Sequence, residues 1–234
     1  MNNVQQLSLP STVPAGIEVW LLELNLRAPI SNSDFLLLSK IERAHALHFY
    51  TLADQVRSVA TRATLRKILA KKLAVPPEQL HFATNHFGKP YLHNNTDIEF
   101  NVSHAGRFAL IATSINGQVG VDIEDCNRQL DVGALTEYVF TSLERQSKLM
   151  TKEEFIERWV AKESVLKALG VGISEYLQAI SVLPLGSKNY RVVSNHLDLS
   201  DVRVWLINVP DCYVAALAVK NHQDAQDSCG IEEK

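Results

Sequence analysis

Residues 118–124 read Gln-Val-Gly-Val-Asp-Ile-Glu, a run of mostly β-prone residues that ends in two acids. Side chains of a strand alternate between its faces, so Asp122 and Glu124 project to the same side while Ile123 points into the core. Two neighbouring carboxylates repel each other unless a cation lies between them or one keeps its proton. Hard oxygen ligands in a pair, with room left for water and phosphate oxygens, suit Mg²⁺. The stretch therefore predicts a strand that ends either in a magnesium site or in two solvated acids.

Three further motifs flank this strand. Residues 88–90 read Gly-Lys-Pro, residues 101–104 read Asn-Val-Ser-His, and residues 159–167 read Trp-Val-Ala-Lys-Glu-Ser-Val-Leu-Lys on a strongly helical stretch. Each motif is weak alone. In this order and spacing, together with the Asp-x-Glu strand, they resemble the 4′-phosphopantetheinyl transferases of the surfactin-synthetase-activating type. The resemblance runs from about residue 49 to residue 172, more than half of the chain.

The resemblance implies an α+β fold built as a pseudo-twofold pair of similar α+β subdomains, with the cofactor site between them. It also implies an enzyme, a holo-[carrier protein] synthase that uses Mg²⁺ as its cofactor and coenzyme A as its co-substrate. Such an enzyme moves 4′-phosphopantetheine onto a serine of an apo acyl, polyketide or peptidyl carrier protein and releases adenosine 3′,5′-bisphosphate. Two alternatives stay open: a metal-dependent nucleotide phosphodiesterase with the same carboxylates, and a catalytically silent coenzyme A-binding module.

The resemblance assigns the metal ligands and the catalytic residues to the strand and the later helix. Asp122, Glu124 and Glu163 are the implied metal ligands, and Glu163 is also the implied general base for the serine, directly or through water. Lys162 and Lys167 are expected to bring positive charge to the pyrophosphate. Asp122, Glu163 and Lys167 are the implied catalytic residues. A plainer interpretation of Glu163 and Lys167 is an i, i+4 pair on a helix surface, worth about 0.2–0.5 kcal/mol.

The coenzyme A contacts that the resemblance implies lie mostly in the first half. Arg57 falls on the family arginine that reaches the 3′-phosphate, and Lys89 with Pro90 falls in the turn used against the adenine and the 3′-phosphate. His104 matches a histidine that contacts a coenzyme A phosphate, with Ser103 beside it. The plainer interpretations are an exposed turn lysine and a surface histidine.

Other arginines of the first half are expected to have different roles. Arg62 and Arg66 share a helix face that Arg57 does not share, so they are expected to be solvated or structural. Arg43 stands near the position where some relatives carry lysines, which leaves the outer phosphate contacts open.

Hydrophobic spacing predicts two similar successions of helices and strands. We therefore predict an N-terminal half over residues 1–117 and a C-terminal half with the metal site over residues 118–222. Residues 1–15 are predicted to be a loose leader, and residues 223–234 a disordered tail. The predicted strands are residues 17–26, 80–83, 108–113, 118–123, 179–183, 202–207 and 213–220, and the predicted helices are residues 54–73 and 153–169.

The composition of the chain argues against some classes of function. The chain has 234 residues with 46% hydrophobic and 21% charged residues, which is typical of a globular protein. A net charge of −3 gives no support to a nucleic-acid partner, and the longest apolar run, residues 213–219, is too short to span a membrane. Three cysteines without Cys-x-x-Cys spacing indicate free thiols. We expect a cytoplasmic monomer.

Overall fold

The computed structural model of the chain describes residues 2–93, 97–146, 151–186, 188–197, 199 and 201–221. Within these residues the protein mixes helices with two principal antiparallel sheets, which confirms the α+β class. Each sheet packs against one long helix and so forms one sheet-containing half. The predicted tail, residues 223–234, lies outside the described residues.

The first sheet has four strands in the order β1-β2-β6-β5, and helix α3 packs against it. Thr51 caps the start of α3 by accepting a hydrogen bond from the Asp54 amide, and the left-handed Ala74 ends the helix. Leu65 and Leu69, one turn apart, pack into the core of this half. The elements are β1 (Asn3–Gln6), β2 (Ile17–Glu23), α3 (Leu52–Leu73), β5 (Glu99–Ala105) and β6 (Phe108–Ser114).

Smaller elements surround the first sheet. Two short helices, α1 and α2, lie against α3 around Leu38, Ala46 and Val59, and a separate hairpin of β3 and β4 follows α3. A 3₁₀ turn over Pro77–Gln79 joins α3 to this hairpin. The bounds are α1 (Asn32–Leu37), α2 (Lys40–His48), β3 (Phe82–Thr84) and β4 (Pro90–Leu92).

The second sheet has five strands in the order β7-β11-β10-β9-β8. Its core is covered by α6, which begins with a capping box between Thr151 and Glu154 and ends at Gly170 with φ 68°. A 3₁₀ turn spans Leu177–Ala179. The bounds are β7 (Gln118–Asp125), α4 (Val132–Val139), α5 (Ser142–Arg145), α6 (Lys152–Leu169), α7 (Ile173–Tyr176), β8 (Ser181–Pro184), β9 (Asn189–Val193), β10 (Val202–Ile207) and β11 (Tyr213–Lys220).

Strands β5 and β7 join the two halves, with α6 packed closely on β7. The side-chain oxygen of Asn101 in β5 accepts a hydrogen bond from the Val121 amide in β7 at 2.9 Å. Gly120 allows the close packing of α6, because a Cβ there would lie 2.1 Å from the Ser164 carbonyl oxygen. The close approach of α6 therefore explains why a glycine stands two residues before Asp122. The acids of β7 and the side chains of α6 consequently face one another across a short gap.

Most predicted elements are confirmed, with β10 and β11 at the expected bounds. The loose leader is wrong, since residues 3–6 pair with β2 and the Trp205 indole donates to Thr12 Oγ1 at 2.9 Å. Edge pairing can order a polar segment that carries no hydrophobic signal of its own. The division between residues 117 and 118 stays a prediction. In the described part of the chain, no helix is long and apolar enough to cross a membrane.

Candidate active site

Asp122 lies at the centre of a buried polar cluster between β7 and α6. Its side chain is nearly inaccessible, and its Oδ1 atom accepts hydrogen bonds from Ser103 Oγ at 2.7 Å and from Lys167 Nζ at 2.5 Å. Lys167 Nζ also donates to Ser103 Oγ at 3.0 Å. The Asp122 Oδ2 atom is buried and has no hydrogen-bond partner among the described residues. One carboxylate oxygen is therefore satisfied by the protein while the other is left to accept a further ligand.

Glu163 faces the same cluster from one turn before Lys167. Its Oε2 atom lies 3.9 Å from Lys167 Nζ, and its Oε1 atom accepts a hydrogen bond from the Trp159 indole at 2.5 Å. Burial and the neighbouring charge of Asp122 raise the pKa of Glu163 to about 7. The carboxyl group is thus suited to exchange a proton near neutral pH.

Glu124 completes the acidic group on the more open side. Arg128 Nη1 lies 3.2 Å from both carboxylate oxygens of Glu124, and its guanidinium group stacks over the Trp159 ring at 5.7 Å. Burial, followed by repulsion from Asp122, raises the pKa of Glu124 despite this ion pair. Arg128 is a site residue that the sequence motifs did not indicate, whereas Trp159 is the first residue of the motif at residues 159–167.

The donor set fits a hard divalent cation, although the three acids do not form a closed cage. Among the described residues, no group of three or more His, Cys, Asp or Glu side chains is close enough to hold a metal ion as it stands. Asp122 nevertheless has an unpartnered buried oxygen, and its charge raises the pKa of both Glu124 and Glu163. A divalent cation relieves such repulsion and favours carboxylate oxygens. A magnesium ion held by these three acids therefore fits the chemistry of the residues present.

A cavity of about 710 Å³ lies in the first half of the molecule. Helices α2 and α3, the β3–β4 hairpin and strand β5 form its walls. His104, the residue after Ser103 in β5, is one of its lining residues. A second cavity of about 660 Å³ lies along β9 and β10, and none of the predicted site residues lines it. The first cavity is thus the one that adjoins β5, the strand that also carries Ser103 of the cluster.

Three of the predicted coenzyme A contacts line the cavity: Arg57, Pro90 and His104. Arg57 is held by Asp54 and by the Gly106 carbonyl oxygen at 3.0 Å, and its buried Nε atom has no partner among the described residues. The His104 side chain is exposed, but the surrounding protein and then the Arg57 cation lower its pKa. Neutral His104 can donate one hydrogen bond to an anionic group.

Arg62 was expected to be solvated or structural, and its ion pair with Glu42 at 3.4 Å fits a structural role, although Arg62 and Arg66 also line the cavity. The Arg62 guanidinium group stacks on the Phe82 ring at 4.8 Å, and its Nη1 atom lacks a partner among the described residues. Arg66 is structural, since it is buried with Glu42 at 2.6 Å. Arg43 donates to carbonyl oxygens of α1, including Leu36 at 2.7 Å.

Lys162 does not join the site, and its predicted contact with a phosphate is not supported. The side chain is completely buried, where Nζ donates to Glu144 Oε2 at 2.5 Å and to the Val139 carbonyl oxygen at 2.8 Å. Lys167 is five positions after Lys162, which places the two side chains about 140° apart around the helix. Membership of the motif therefore does not place both lysines on the same face.

Lys89 is also turned away from the cavity, whereas its neighbours Gly88 and Pro90 line it. Its Nζ atom donates to the Ala168 carbonyl oxygen at 2.9 Å and to the Val119 carbonyl oxygen at 3.4 Å. The predicted phosphate contact of this ammonium group is therefore not supported. Of the ten predicted site residues, the structure brings together Asp122, Glu124, Glu163, Ser103 and Lys167 at the cluster, and places Arg57, Pro90 and His104 on the cavity wall.

Comparisons with known proteins match two long stretches of this chain. A family described as "4′-phosphopantetheinyl transferase, N-terminal" matches residues 31–116, and the 4′-phosphopantetheinyl transferase superfamily matches residues 118–218. The two matches together cover most of the chain. The cavity lies within the first matched region, and the three acids lie within the second.

Individual relatives carry related names. The 4′-phosphopantetheinyl transferase gsp of Aneurinibacillus migulanus is 31% identical over 58% of this chain and 57% of its own length. HetI of Nostoc sp., a 4′-phosphopantetheinyl transferase, is 34% identical over 59% and 62%. The L-aminoadipate-semialdehyde dehydrogenase-phosphopantetheinyl transferase of Xenopus laevis is 32% identical over 59% and 51%. The chain thus spans less than two thirds of the length of these relatives. By its motifs and both family matches, it belongs to the 4′-phosphopantetheinyl transferase superfamily, in the surfactin-synthetase-activating type.

Proposed function

We propose that this chain transfers the 4′-phosphopantetheine group of coenzyme A to a serine of an apo carrier protein and releases adenosine 3′,5′-bisphosphate. The observation that carries the proposal is the buried cluster of Asp122, Ser103 and Lys167, together with a cavity that His104 lines and that is large enough for a nucleotide. A carboxylate with one unsatisfied buried oxygen is unfavourable unless a ligand completes it. The names of the relatives point to the same reaction.

The chain's own residues have separate tasks in this reaction. The serine hydroxyl loses its proton to Glu163, directly or through one water, while its oxygen bonds to the pyrophosphate phosphorus that carries the pantetheine arm. The bond from that phosphorus to the bridging oxygen breaks, and adenosine 3′,5′-bisphosphate leaves with the electron pair. Lys167 donates hydrogen bonds to phosphate oxygens, and the raised pKa of its ammonium group keeps it charged. Arg57 and His104 hold the nucleotide end in the cavity.

Magnesium is the proposed cofactor, held by Asp122, Glu124 and Glu163. When bound, it supplies charge neutralisation at the pyrophosphate oxygens. The three acids, two of which have raised pKa values, are the features of this chain that support its presence. Binding of Mn²⁺ in place of Mg²⁺, followed by electron paramagnetic resonance, provides a readout that does not depend on turnover.

The transfer reaction can be tested by weighing carrier proteins. Purified protein is mixed with coenzyme A, Mg²⁺ and a panel of apo acyl, polyketide and peptidyl carrier proteins, and each carrier is analysed intact by mass spectrometry. We expect one phosphopantetheine on one serine, lost with EDTA and lost when that serine is alanine. Adenosine bisphosphate released without a carrier would favour the phosphodiesterase, and tight coenzyme A binding without turnover would favour the silent module.

A matched pair of variants separates binding from chemistry. Glu163→Gln keeps the shape of the side chain but cannot accept the serine proton, so coenzyme A binding should persist while transfer is lost. Glu157→Gln, on the same helix but outside the cluster, is the control. Loss of coenzyme A binding in Glu163→Gln with normal turnover at saturation would contradict the assigned role.

We propose a cytoplasmic monomer with a carrier protein as its partner and with no nucleic-acid or membrane partner. Cys126 and Cys212 are unpaired among the described residues, which suits a reducing compartment, whereas Cys229 lies outside them. Sedimentation of the purified protein tests the monomer.

A further inference from the structure

The β3–β4 hairpin of the first half is fastened to the end of α6 in the second half. Asn85 Nδ2 donates to the Gly170 carbonyl oxygen at 2.7 Å, and Lys89 Nζ donates to the Ala168 carbonyl oxygen at 2.9 Å. Ala168 belongs to the last turn of α6, where carbonyl oxygens lack partners within the helix, and Gly170 is the residue that ends the helix. The hairpin thus caps a helix that is distant from it in sequence.

The turn that carries Lys89 is itself held rigidly. The Asn85 Oδ1 atom accepts hydrogen bonds from the Phe87 amide at 3.0 Å and the Lys89 amide at 2.9 Å. The Asn85 amide donates to the Lys89 carbonyl oxygen at 2.9 Å, and Gly88 supplies the positive φ of 84° that the turn requires. The Asn85 side chain therefore orders the turn through its oxygen and forms a hydrogen bond with the end of α6 through its nitrogen.

Electrostatics favours a cation at this location. The C-terminal end of a helix carries partial negative charge, and a lysine beside it is stabilised. The Lys89 side chain is only 12% exposed, and the Glu99 carboxylate lies 3.8 Å away. Burial lowers the pKa of Lys89, and Glu99 partly opposes that change. A desolvated ammonium group depends strongly on the few oxygens that it contacts, so its position is well defined.

The contacts of Lys89 join the two segments that carry the proposed catalytic pair. Val119, whose carbonyl oxygen lies 3.4 Å from Nζ, is three residues before Asp122 in β7. Ala168, the other contact, directly follows Lys167 in α6. Lys89 therefore connects the backbone three residues before Asp122 to the backbone that directly follows Lys167, and the side chains of Asp122 and Lys167 meet at 2.5 Å.

We propose that Lys89, together with Asn85, is a positioning residue that holds α6 against β7 so that Lys167 and Glu163 face Asp122. This inference rests on the proposed transfer reaction. It gives Lys89 no contact with coenzyme A, although Gly88 and Pro90 on either side line the cavity. The hairpin thereby forms part of the cavity wall and braces the catalytic helix.

A positioning role and a direct contact with coenzyme A predict opposite kinetic changes. Lys89→Met keeps the length and apolar stem of the side chain but removes its hydrogen bonds to α6 and β7. We expect kcat to fall about tenfold to a hundredfold, because small displacements of catalytic groups have effects of that size. The Kd for coenzyme A, measured by calorimetry without carrier, should stay within about twofold.

Further variants test the brace, by which we mean the contacts of Asn85 and Lys89 with α6 and β7. Asn85→Asp keeps the oxygen that orders the turn but places a second oxygen opposite the Gly170 carbonyl, so it should lower kcat in the same way. Lys89→Arg retains the charge and should recover part of kcat. Lys67→Met is the matched control, because Lys67 is a half-exposed lysine paired with Asp34 in the first half. It should leave both kcat and Kd unchanged.

Amide hydrogen exchange at residues 167–169 measures the end of α6 without any turnover. We expect about tenfold faster exchange there in Lys89→Met and Asn85→Asp, with α3 unaffected. If wild-type protein modifies no carrier, the proposed function fails, while the exchange result still tests the brace. A raised Kd with unchanged kcat, or unchanged exchange and kcat in both variants, would overturn the positioning role.

Discussion

Helix α6 carries one lysine on each of two faces, Lys162 and Lys167, and the two lysines have opposite roles. On the core face, Lys162 is fully buried and bonded to Glu144, and burial lowers its pKa although Glu144 opposes the change. On the face toward β7, burial also acts to lower the pKa of Lys167, but Asp122 and Glu163 outweigh it and the net pKa is raised. The core face pairs a cation with an anion, whereas the other face has more acids than the cation can neutralise. The excess of negative charge, more than the presence of a buried ion pair, indicates the functional site.

Removing Asp122 should have the largest effect on activity. Asp122→Ala deletes the carboxylate that contacts Lys167 and Ser103 and carries the unpartnered oxygen, so kcat should fall on the order of 10³-fold. Coenzyme A affinity should change much less, since Arg57 and His104 remain. Asp125→Ala, at the end of the same strand, is the control in both assays. Near-normal turnover of Asp122→Ala at ordinary Mg²⁺ would refute the role of the acidic face.

In metal-free protein, the pH dependence of the free energy of unfolding should reveal the excess of carboxylates around Lys167. Glu163 has a pKa raised to about 7 from an ordinary value of 4.5, so the folded state binds more protons than the unfolded state between these values. Its contribution is complete below pH 4.5 and is lost as the pH rises through 7. The free energy of unfolding should therefore fall from pH 5 to pH 8 by up to about 3 kcal/mol more in wild type than in Glu163→Gln.

Urea unfolding at several pH values, with EDTA present, measures this difference. Saturating Mg²⁺ should flatten the wild-type curve, because a bound cation favours the charged carboxylate. Parallel curves for wild type and Glu163→Gln would mean that the environment of Glu163 does not raise its pKa as described.

His104 should give a smaller effect, confined to binding. His104→Ala removes a hydrogen-bond donor from the cavity wall, and the Kd for coenzyme A should rise about tenfold, or roughly 1.4 kcal/mol. The kcat at saturating coenzyme A should change little, because His104 is outside the acidic cluster. Calorimetry provides the Kd, with His93→Ala as the control. An unchanged Kd accompanied by a large loss of kcat would place His104 with the catalytic residues instead.

Local sequence patterns predicted the acidic face well. Alternation in β7 placed Asp122 and Glu124 on one side, and the i, i+4 relation placed Glu163 with Lys167. These relations follow from backbone geometry alone. The α+β class and most element bounds followed in the same way from hydrophobic spacing.

Long-range partners could not be predicted from the sequence. Nothing near Lys162 in sequence indicates Glu144, which lies on a separate short helix 18 residues away. The brace formed by Lys89 depends on contacts 30 and 79 residues distant. Two local signals are present in the sequence. The 100° rotation per helical residue separates the side chains of Lys162 and Lys167, and Gly120 is a residue type that permits close packing of a helix such as α6. The polar strand β1 gave no such signal.

Substituting the two lysines in parallel tests the distinction between the faces of α6 most directly. Lys162→Met and Lys167→Met are compared for the free energy of unfolding in urea and for transfer to a carrier protein. Lys162→Met leaves Glu144 buried without its ammonium partner, so it should lose about 3–5 kcal/mol of stability while the folded fraction keeps its turnover. Both variants are compared in saturating Mg²⁺, where Lys167→Met should keep most of its stability, because a cation between the acids replaces the ammonium charge lost beside Asp122, and should lose transfer. The account is contradicted if Lys167→Met turns over normally, or if Lys162→Met remains fully stable but inactive.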